Sequence, residues 1–234
     1  MKVRVVNGVP IRSIPRMSVI VDVFRSSSTI TAALNNGAES VIPFSNIRDA
    51  IRFAGKAKRR LKLILAGERY GITPKGFDCN ISPLDMTREN IEGKTIIYSS
   101  TNLTRILSKV RDRSRVLIGG LNNAKAVASY LRRIDSDEVM IIACGTNEGP
   151  TIEDLTGAGA IVDSLMAEDL TDGALIALGV YRNPDWRSQA EKGRIAGKLR
   201  ALSFQKDVDF CLSPNISSVV PGLFRNKIVN VRKD

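Results

Sequence analysis

Short runs of apolar residues alternate along the chain with longer segments in which apolar residues recur every three or four positions. This alternation predicts an α/β fold with a mainly parallel sheet, because parallel strands are joined by helical crossovers. The short apolar runs predict strands over 18–24, 40–43, 61–66, 95–98, 115–119, 138–143 and 174–178. The periodic segments predict helices over 29–35, 47–60, 104–109, 124–133, 152–167 and 184–202.

A boundary between two parts of the chain would fall most easily in the stretch 119–123, which is rich in glycine and asparagine. It would separate a basic first lobe, residues 1–119, from a second lobe that carries carboxylates, residues 120–234. The same stretch could equally be an ordinary turn from a strand to a helix. The chain would then be one compact unit, and its 234 residues suit either arrangement.

The positive charge of the chain is concentrated in its first half. Lys and Arg number 35 against 24 Asp and Glu, a formal net charge of +11, and the second half is close to neutral. This favours a small anionic partner. Nucleic acid is the weaker alternative, since only 5% of residues are aromatic. The densest basic run could also be the solvated face of one helix: Arg48, Arg52, Lys56, Lys58, Arg59, Arg60 and Lys62.

Histidine is absent from the sequence, which excludes Ser-His-Asp hydrolases, Cys-His proteases, histidine phosphatases and zinc enzymes with histidine ligands. Cys79, Cys144 and Cys211 are widely spaced and form no disulfide framework, which favours a reducing compartment. No stretch has the pattern of a signal peptide or a membrane span. We therefore expect a cytoplasmic protein without a membrane partner.

Three strands are followed by loops rich in hydroxyl groups or glycine, and each loop leads into a helix. The three segments are 19–29, 96–104 and 140–156. In open α/β sheets ligands bind outside the carboxyl ends of strands, and the amides at a helix N-terminus attract anions. These loops therefore predict a phosphate pocket. No Walker A pattern is present, which argues against a P-loop nucleoside triphosphatase.

The first of these loops carries the densest chemistry, with Asp22 and Arg25 followed by four consecutive hydroxyl residues, 26–29. An arginine can bind a phosphate through two parallel hydrogen bonds, and the hydroxyls can hold its other oxygens. Asp22 would then ligate a metal, accept a proton or attack phosphorus. A plain helix cap is the alternative, but it would explain only one hydroxyl.

Two further loops extend the predicted site. Glu68 and Arg69 follow the strand at 61–66 and could either act on the substrate or merely form an ion pair that holds their loop. That loop continues to Ser82 and is too long for a tight turn. The stretch 99–105 repeats the theme of hydroxyls beside an arginine, but by itself this is weak evidence.

A pair of adjacent carboxylates, Glu153 and Asp154, opens the helix at 152–167. Such a pair at the mouth of a sheet suits a hard cation such as Mg²⁺. Thr151 and Asp154 also have the spacing of a capping box, in which Asp154 would only accept a backbone amide. Cys144 lacks the arginine six positions later that a tyrosine-phosphatase loop needs. Phe24 occupies the position of the second aspartate of a haloacid dehalogenase.

Several segments, taken in order, are shared with a known family. The first is a strand that ends in Asp-x-x-Arg and leads into a helix rich in Ser and Thr. The second is a Gly-Glu-Arg loop followed by Gly-Phe-Asp and Ser-Pro, and the third is a turn with the pattern hydroxyl-Asn-x-Thr. The last two are a strand that ends in Cys before a helix that begins with Glu-Asp, and a Val-Val-Pro tail. From about Val19 to Pro221 the chain therefore resembles the 2-phosphosulfolactate phosphatases of coenzyme M biosynthesis. Leu103, Asn80-Ile81 and Lys192 depart from the family pattern.

The resemblance implies Mg²⁺-dependent hydrolysis of the phosphate monoester of a small 2-hydroxy acid, best matched by 2-phosphosulfolactate. It also implies a three-layer α/β/α architecture of two related lobes. The implied catalytic residues are Asp22, Arg25, Glu68 and Asp154, and the implied Mg²⁺ ligands are Asp22, Glu153 and Asp154. The implied substrate-binding residues are Ser27, Ser28, Thr29, Arg69, Ser82, Ser100, Thr101, Asn102 and Thr104.

Two roles for Asp22 stay open at this point, since either Asp22 or Glu68 could activate water, or Asp22 could form an acyl phosphate. The rival class is a non-catalytic protein of the same fold that binds small anions or nucleic acid. We expect a small phosphorylated acid as the partner and do not expect nucleic acid. A homo-oligomer is left open.

Overall fold

The computed structural model describes residues 1–8, 13–58, 60–134 and 136–233, which form one mixed sheet with helices packed against it. The strands are β1 Lys2–Asn7, β2 Met17–Val21, β3 Ser40–Pro43, β4 Leu63–Gly67, β5 Thr95–Ser99, β6 Arg115–Gly119, β7 Glu138–Ala143, β8 Asp169–Leu170, β9 Pro221–Phe224 and β10 Lys227–Asn230. The longer helices are α1 Ser26–Asn35, α2 Ile47–Ala57, α4 Leu103–Val110, α5 Ala124–Arg133, α6 Ile152–Leu165 and α7 Asp172–Arg182. The remaining helices are α3 Arg88–Ile91, α8 Trp186–Lys192, α9 Arg194–Ala201 and α10 Gln205–Cys211.

The sheet has ten strands within the described residues, in the order β4-β5-β3-β10-β9-β6-β2-β7-β1-β8. It contains two parallel blocks, β4-β5-β3 and β6-β2-β7-β1-β8. The hairpin β9–β10 lies between the blocks, and its pairings with β6 and β3 are both antiparallel. The two blocks therefore run in opposite directions.

The mainly parallel α/β class that the sequence predicts is confirmed. The sheet is continuous, and β2 pairs with β7 across the boundary expected near residue 119. The division into two related lobes stays a prediction. Strand β2 lies between β6 and β7, and all five of its residues are buried. A strand that is buried and paired on both edges is rigid, so it fixes the position of the loop residues that follow it.

The prediction of a strand at 174–178 is wrong, because these residues belong to helix α7. Ala174 and Ala177 are buried on one face, while Leu175 and Ile176 are exposed on the other. Buried residues recur every three or four positions in a helix. A short run made up only of apolar residues fits a strand and a helix equally well, which is why the prediction failed. Strands β1, β8, β9 and β10 and helices α3 and α10 were not predicted.

Several predicted boundaries differ from the observed ones. The helix predicted at 184–202 is two helices, α8 and α9, which meet at Gly193. The helix predicted at 47–60 ends at Ala57, and Arg59 of its basic face lies outside the described residues. None of the helices that the described residues form is long and apolar enough to cross a bilayer.

Candidate active site

A cavity of about 240 Å³ lies where the loops after four strands meet helix α9. Two of these strands, β2 and β7, belong to one parallel block, and β4 and β5 belong to the other. The carboxyl ends of both blocks therefore reach the same cavity, although the blocks run in opposite directions. The polar residues that line it are Asp22, Arg25, Ser26, Glu68, Thr101, Asn102, Thr146, Asn147, Glu148, Arg194 and Lys198.

Asp22 follows the last residue of β2 and is 4% exposed. Its Oδ2 accepts hydrogen bonds from Ser26 Oγ at 2.7 Å and from the N–H of Leu103 at 3.1 Å. Burial raises the pKa of Asp22 from 3.8 to about 6, the Ser26 hydroxyl opposes this, and the charge of Glu68 adds to it. A carboxyl group with a pKa near neutrality can both hold and release a proton at physiological pH.

The hydroxyls after Arg25 mainly fix the backbone of the turn. Ser27 Oγ accepts the N–H of Asp22, and Ser28 Oγ donates to the carbonyl of Val23. Thr29 Oγ1 lies within hydrogen-bonding distance of the carbonyls of Arg25 and Ile81. None of these residues caps α1 with its side chain, since the N-cap position is Arg25. Within this run only Ser26, which sequence reasoning did not single out, lines the cavity.

Arg25 enters the cavity wall as a buried guanidinium, with its side chain 2% exposed. One terminal nitrogen donates to Asp207 Oδ2 and the other to Asn80 Oδ1, both at 2.6 Å. The ring of Phe204 packs against the guanidinium, 4.2 Å from its carbon. These contacts fix the orientation of Arg25. Asp207 was not predicted, and Asn80 was noted only as a departure from the family pattern.

Glu68 and Arg69 have different surroundings. Glu68 lines the cavity, and its two oxygens accept the N–H groups of Gly71 at 2.8 Å and Thr101 at 2.6 Å. The Arg69 guanidinium donates away from the cavity, to the carbonyls of Glu68 and Ser45 and to Ser99 Oγ. The ion pair that the sequence suggested does not form in the described structure, and Arg69 holds the loop through main-chain carbonyls instead.

The turn after β5 contributes Thr101 and Asn102 to the cavity. Thr101 Oγ1 is buried and has no hydrogen-bond partner among the described residues. A buried hydroxyl without a partner is costly unless a ligand or water satisfies it. Ser100 and Thr104 lie behind the cavity wall, where Thr104 Oγ1 donates to the carbonyl of Ser100. Leu103 is fully buried in the core, so its side chain does not face a ligand.

Asp154 joins two loops rather than lining the cavity. Its Oδ1 accepts the N–H of Val23 at 2.7 Å, and its Oδ2 accepts the N–H of Gly145 at 2.9 Å. Burial raises the pKa of Asp154, as do the charges of Glu153 and Asp22, while the two amide bonds lower it. The capping box with Thr151 is not formed, because the Thr151 side chain makes no cap hydrogen bond.

Glu153 lines a second cavity, of about 190 Å³, beside the first. Thr146, Glu148 and Arg194 line both cavities, and Arg194 pairs with Glu148 at 3.2 Å between them. Glu153 is 2% exposed, and burial raises its pKa to about 7.

Ser82, which was predicted to bind substrate, donates its hydroxyl hydrogen bond to Asp207 Oδ1 at 2.7 Å.

A magnesium ion would depend on the carboxylate oxygens that the site offers. Across the ranges that the structure describes, no three carboxylate or thiol side chains form a group that could hold a metal. Asp22, Glu153 and Asp154 are therefore not assembled as a ready-made ligand set. Asp22 Oδ1 accepts no hydrogen bond from the described residues, and Glu68 lines the same cavity. One or two carboxylates completed by substrate phosphate and water is the usual Mg²⁺ environment, so this reduced set fits the ion.

Helix α9 supplies two cations that sequence reasoning missed. Arg194 and Lys198 are four positions apart and line the cavity opposite the strand ends. Lys198 forms no ion pair with any described residue, and its ammonium lies 5.5 Å from the ring of Tyr70. The spacing Arg194-x-x-x-Lys198 directly after Gly193 was a signal in the sequence, but it is common on solvated helices.

The described residues thus form an α/β protein whose cavity wall carries a buried carboxyl group with a raised pKa, Asp22, and a guanidinium of fixed orientation, Arg25. The chain is matched over residues 4–226 by the family model for 2-phosphosulpholactate phosphatase. It belongs to this family, and it is therefore a phosphoric monoester hydrolase.

The chain is similar to curated relatives over most of their length. A protein of Thermotoga petrophila is 36% identical over 210 residues, which cover 89% of each chain. One of Clostridium beijerinckii is 35% identical over 218 residues, 91% of each chain. One of Caldanaerobacter subterraneus is 36% identical over 222 residues, 92% of this chain and 90% of its own. All three carry the name "Probable 2-phosphosulfolactate phosphatase".

Proposed function

We propose that this cavity hydrolyses the phosphate ester of 2-phosphosulfolactate, with Asp22 as the general base. The observation that carries the proposal is the position of Asp22, whose pKa is about 6, in the same cavity wall as the fixed guanidinium of Arg25. A base whose pKa lies near the working pH can take a proton from water and later release it. Family membership supports the reaction, and the names of the relatives support the substrate.

The phosphate would lie at the strand ends. Arg25 and Ser26 line this wall, and the buried Thr101 hydroxyl offers a further donor. A guanidinium with a fixed orientation binds phosphate without losing further side-chain freedom, which strengthens the interaction. Asp22 Oδ1, which has no hydrogen bond in the described structure, would face the attacking water.

The acid groups of the substrate would lie toward helix α9. 2-Phosphosulfolactate carries a carboxylate and a sulfonate in addition to its phosphate, so a second cationic wall is needed. Arg194 and Lys198 provide that wall, and Lys198 has no competing carboxylate among the described residues. The two walls would together orient the ester for attack.

Glu68 would hold Mg²⁺ together with the substrate phosphate and water, which leaves Asp22 Oδ1 for the attacking water. The bound ion would supply charge neutralisation at the phosphoryl oxygens. Each Glu68 oxygen already accepts one N–H, and an ionised carboxylate oxygen has room for a second contact. Asp154 would act from behind this site by fixing the loops at Val23 and Gly145, and the charge of Glu153 contributes to the raised pKa of Asp154.

The test is phosphate release from a panel of small esters: 2-phosphosulfolactate, 2-phospholactate and phosphoglycolate, each with Mg²⁺ and with EDTA. We expect release from 2-phosphosulfolactate that EDTA abolishes and added Mg²⁺ restores. Folded protein that binds these esters but releases no phosphate would contradict the proposal and favour an anion sensor. Binding to nucleic acid that falls steeply with salt and ignores Mg²⁺ would favour the other rival.

A further inference from the structure

Asp207, at the start of helix α10, lies 182 positions after Arg25 in the sequence and forms a buried ion pair with it. We propose that Asp207 is a positioning residue, which holds the Arg25 guanidinium in the orientation that binds the substrate phosphate. The inference rests on the proposed function only in identifying the anion as a phosphate ester. Nothing in the chain's own motifs marks Asp207, because its position is meaningful only after folding.

The geometry of the pair is tightly specified. Arg25 Nη1 donates to Asp207 Oδ2 at 2.6 Å, and the two side chains are 2% and 3% exposed. The other oxygen of Asp207 accepts from Ser82 Oγ at 2.7 Å. Both oxygens of the carboxylate are therefore engaged, so Asp207 itself has a fixed orientation and transmits it to Arg25.

Two more groups hold the Arg25 guanidinium in place. Asn80 Oδ1 accepts from Arg25 Nη2 at 2.6 Å, and the Phe204 ring lies 4.2 Å from the guanidinium carbon. A guanidinium has five N–H donors, of which these contacts use two. The other three donate to no atom of the described residues and remain for a ligand in the cavity that Arg25 lines.

The opposite charges of Arg25 and Asp207 also favour a positioning role for Asp207. A buried cation is costly without a counterion, and Asp207 is the carboxylate that pairs with Arg25 in the described structure. The pair is neutral as a unit, so an arriving anion meets oriented donors rather than a mobile surface charge. Orientation in advance saves the side-chain entropy that binding would otherwise cost.

Isothermal titration calorimetry with inorganic phosphate tests the inference without requiring turnover. We expect Asp207→Asn to weaken phosphate binding about tenfold, because the amide keeps the shape but loses the charge-assisted bond. Asp209→Asn is the matched control, since Asp209 lies on the same helix and is exposed, and among the described residues its carboxylate accepts only from Gln205. It should leave the affinity unchanged. Thermal unfolding of each variant establishes that it is folded.

A double-mutant cycle separates positioning from a general structural effect. In an Arg25→Gln background, which removes the guanidinium but still offers Asp207 a donor, we expect Asp207→Asn to cause no further loss of phosphate affinity. Ser82→Ala provides a milder test if Asp207→Asn folds poorly, and we expect a loss of about threefold, because it frees one Asp207 oxygen.

An equal loss from Asp207→Asn in both backgrounds would overturn the inference. So would unchanged affinity in folded Asp207→Asn or in Ser82→Ala. A wild-type protein that binds phosphate through the coupled pair but hydrolyses no ester would contradict the proposed function while leaving the role of Asp207 intact. The two proposals can therefore fail separately.

Discussion

The carboxylate of Asp22 accepts a hydrogen bond from the main-chain N–H of Leu103 at 3.1 Å, across 81 positions of sequence. Asp22 directly follows a strand of one parallel block, and Leu103 begins the helix that follows a strand of the other. This bond joins the two blocks at the cavity floor. It also orients Asp22, so that Oδ2 faces the backbone while Oδ1 accepts no hydrogen bond from the described residues.

Asp154→Asn should destabilise the fold by about 1–3 kcal/mol. The carboxylate accepts the N–H groups of Val23 and Gly145 with its two oxygens, whereas asparagine offers one oxygen and one donor. One amide would therefore lose its acceptor. Urea unfolding measures the effect, and an unchanged midpoint would show that Asp154 does not brace these loops.

Gly159→Ala should cost about 1–3 kcal/mol or more, because its Cβ would lie 2.0 Å from the carbonyl oxygen of Ala177 in helix α7. Gly179→Ala is the matched control in that same helix, where nothing lies within 4 Å of the added carbon. It should stabilise the protein by about 0.5–1 kcal/mol. Equal effects of the two variants in chemical denaturation would contradict the observed α6–α7 packing.

Glu153 should make the fold less stable as the pH rises. Burial raises its pKa from 4.5 to about 7, so between these values the folded state binds more protons than the unfolded state. Its contribution is fully present below pH 4.5 and is lost as the pH rises through about 7. Denaturant unfolding of wild type and Glu153→Gln at several pH values measures this contribution.

We expect the stability of wild type relative to Glu153→Gln to fall by roughly 3 kcal/mol between pH 4 and pH 8. The glutamine variant cannot titrate at this position, so its own curve serves as the baseline. Parallel curves for the two proteins would mean that Glu153 has an ordinary pKa in the folded state.

Lys198→Met should change substrate preference rather than abolish activity. We expect KM for 2-phosphosulfolactate to rise about tenfold, whereas KM for 2-phospholactate, which has a methyl group in place of the sulfonate arm, should stay unchanged. Lys192→Met, at an exposed residue that does not line the cavity, is the control. An equal rise for both substrates would exclude Lys198 from reading the sulfonate.

Local sequence signals predicted much of the fold. The strands at 40–43, 115–119 and 138–143 and the helix at 124–133 have the predicted boundaries, since turn residues such as Gly119 and Gly120 mark their ends. The hairpin β9–β10 was not predicted, because each strand has only four residues and pairs with distant partners. The opposite directions of the two blocks depend on that hairpin and were not predictable either.

The candidate site was predictable where it depends on strand ends. Asp22, Arg25, Glu68, Thr101 and Asn102 follow apolar runs and line the cavity together. The number of hydroxyl residues did not reveal which side chains hydrogen-bond to the main chain, as Ser28 does to the carbonyl of Val23. Asp207 carries no local pattern, and the spacing that includes Lys198 is common on solvated helices, so only tertiary packing shows that these residues reach the site.

Steady-state phosphate release by Asp22→Asn, beside wild type with 2-phosphosulfolactate and Mg²⁺, tests the central claim most directly. Asparagine keeps an acceptor for Ser26 and Leu103, so the fold should survive, and circular dichroism checks this. We expect kcat to fall by about 10²–10⁴-fold, because the base is lost. A folded variant with kcat near that of wild type would contradict it, and the chemistry would then have to lie elsewhere.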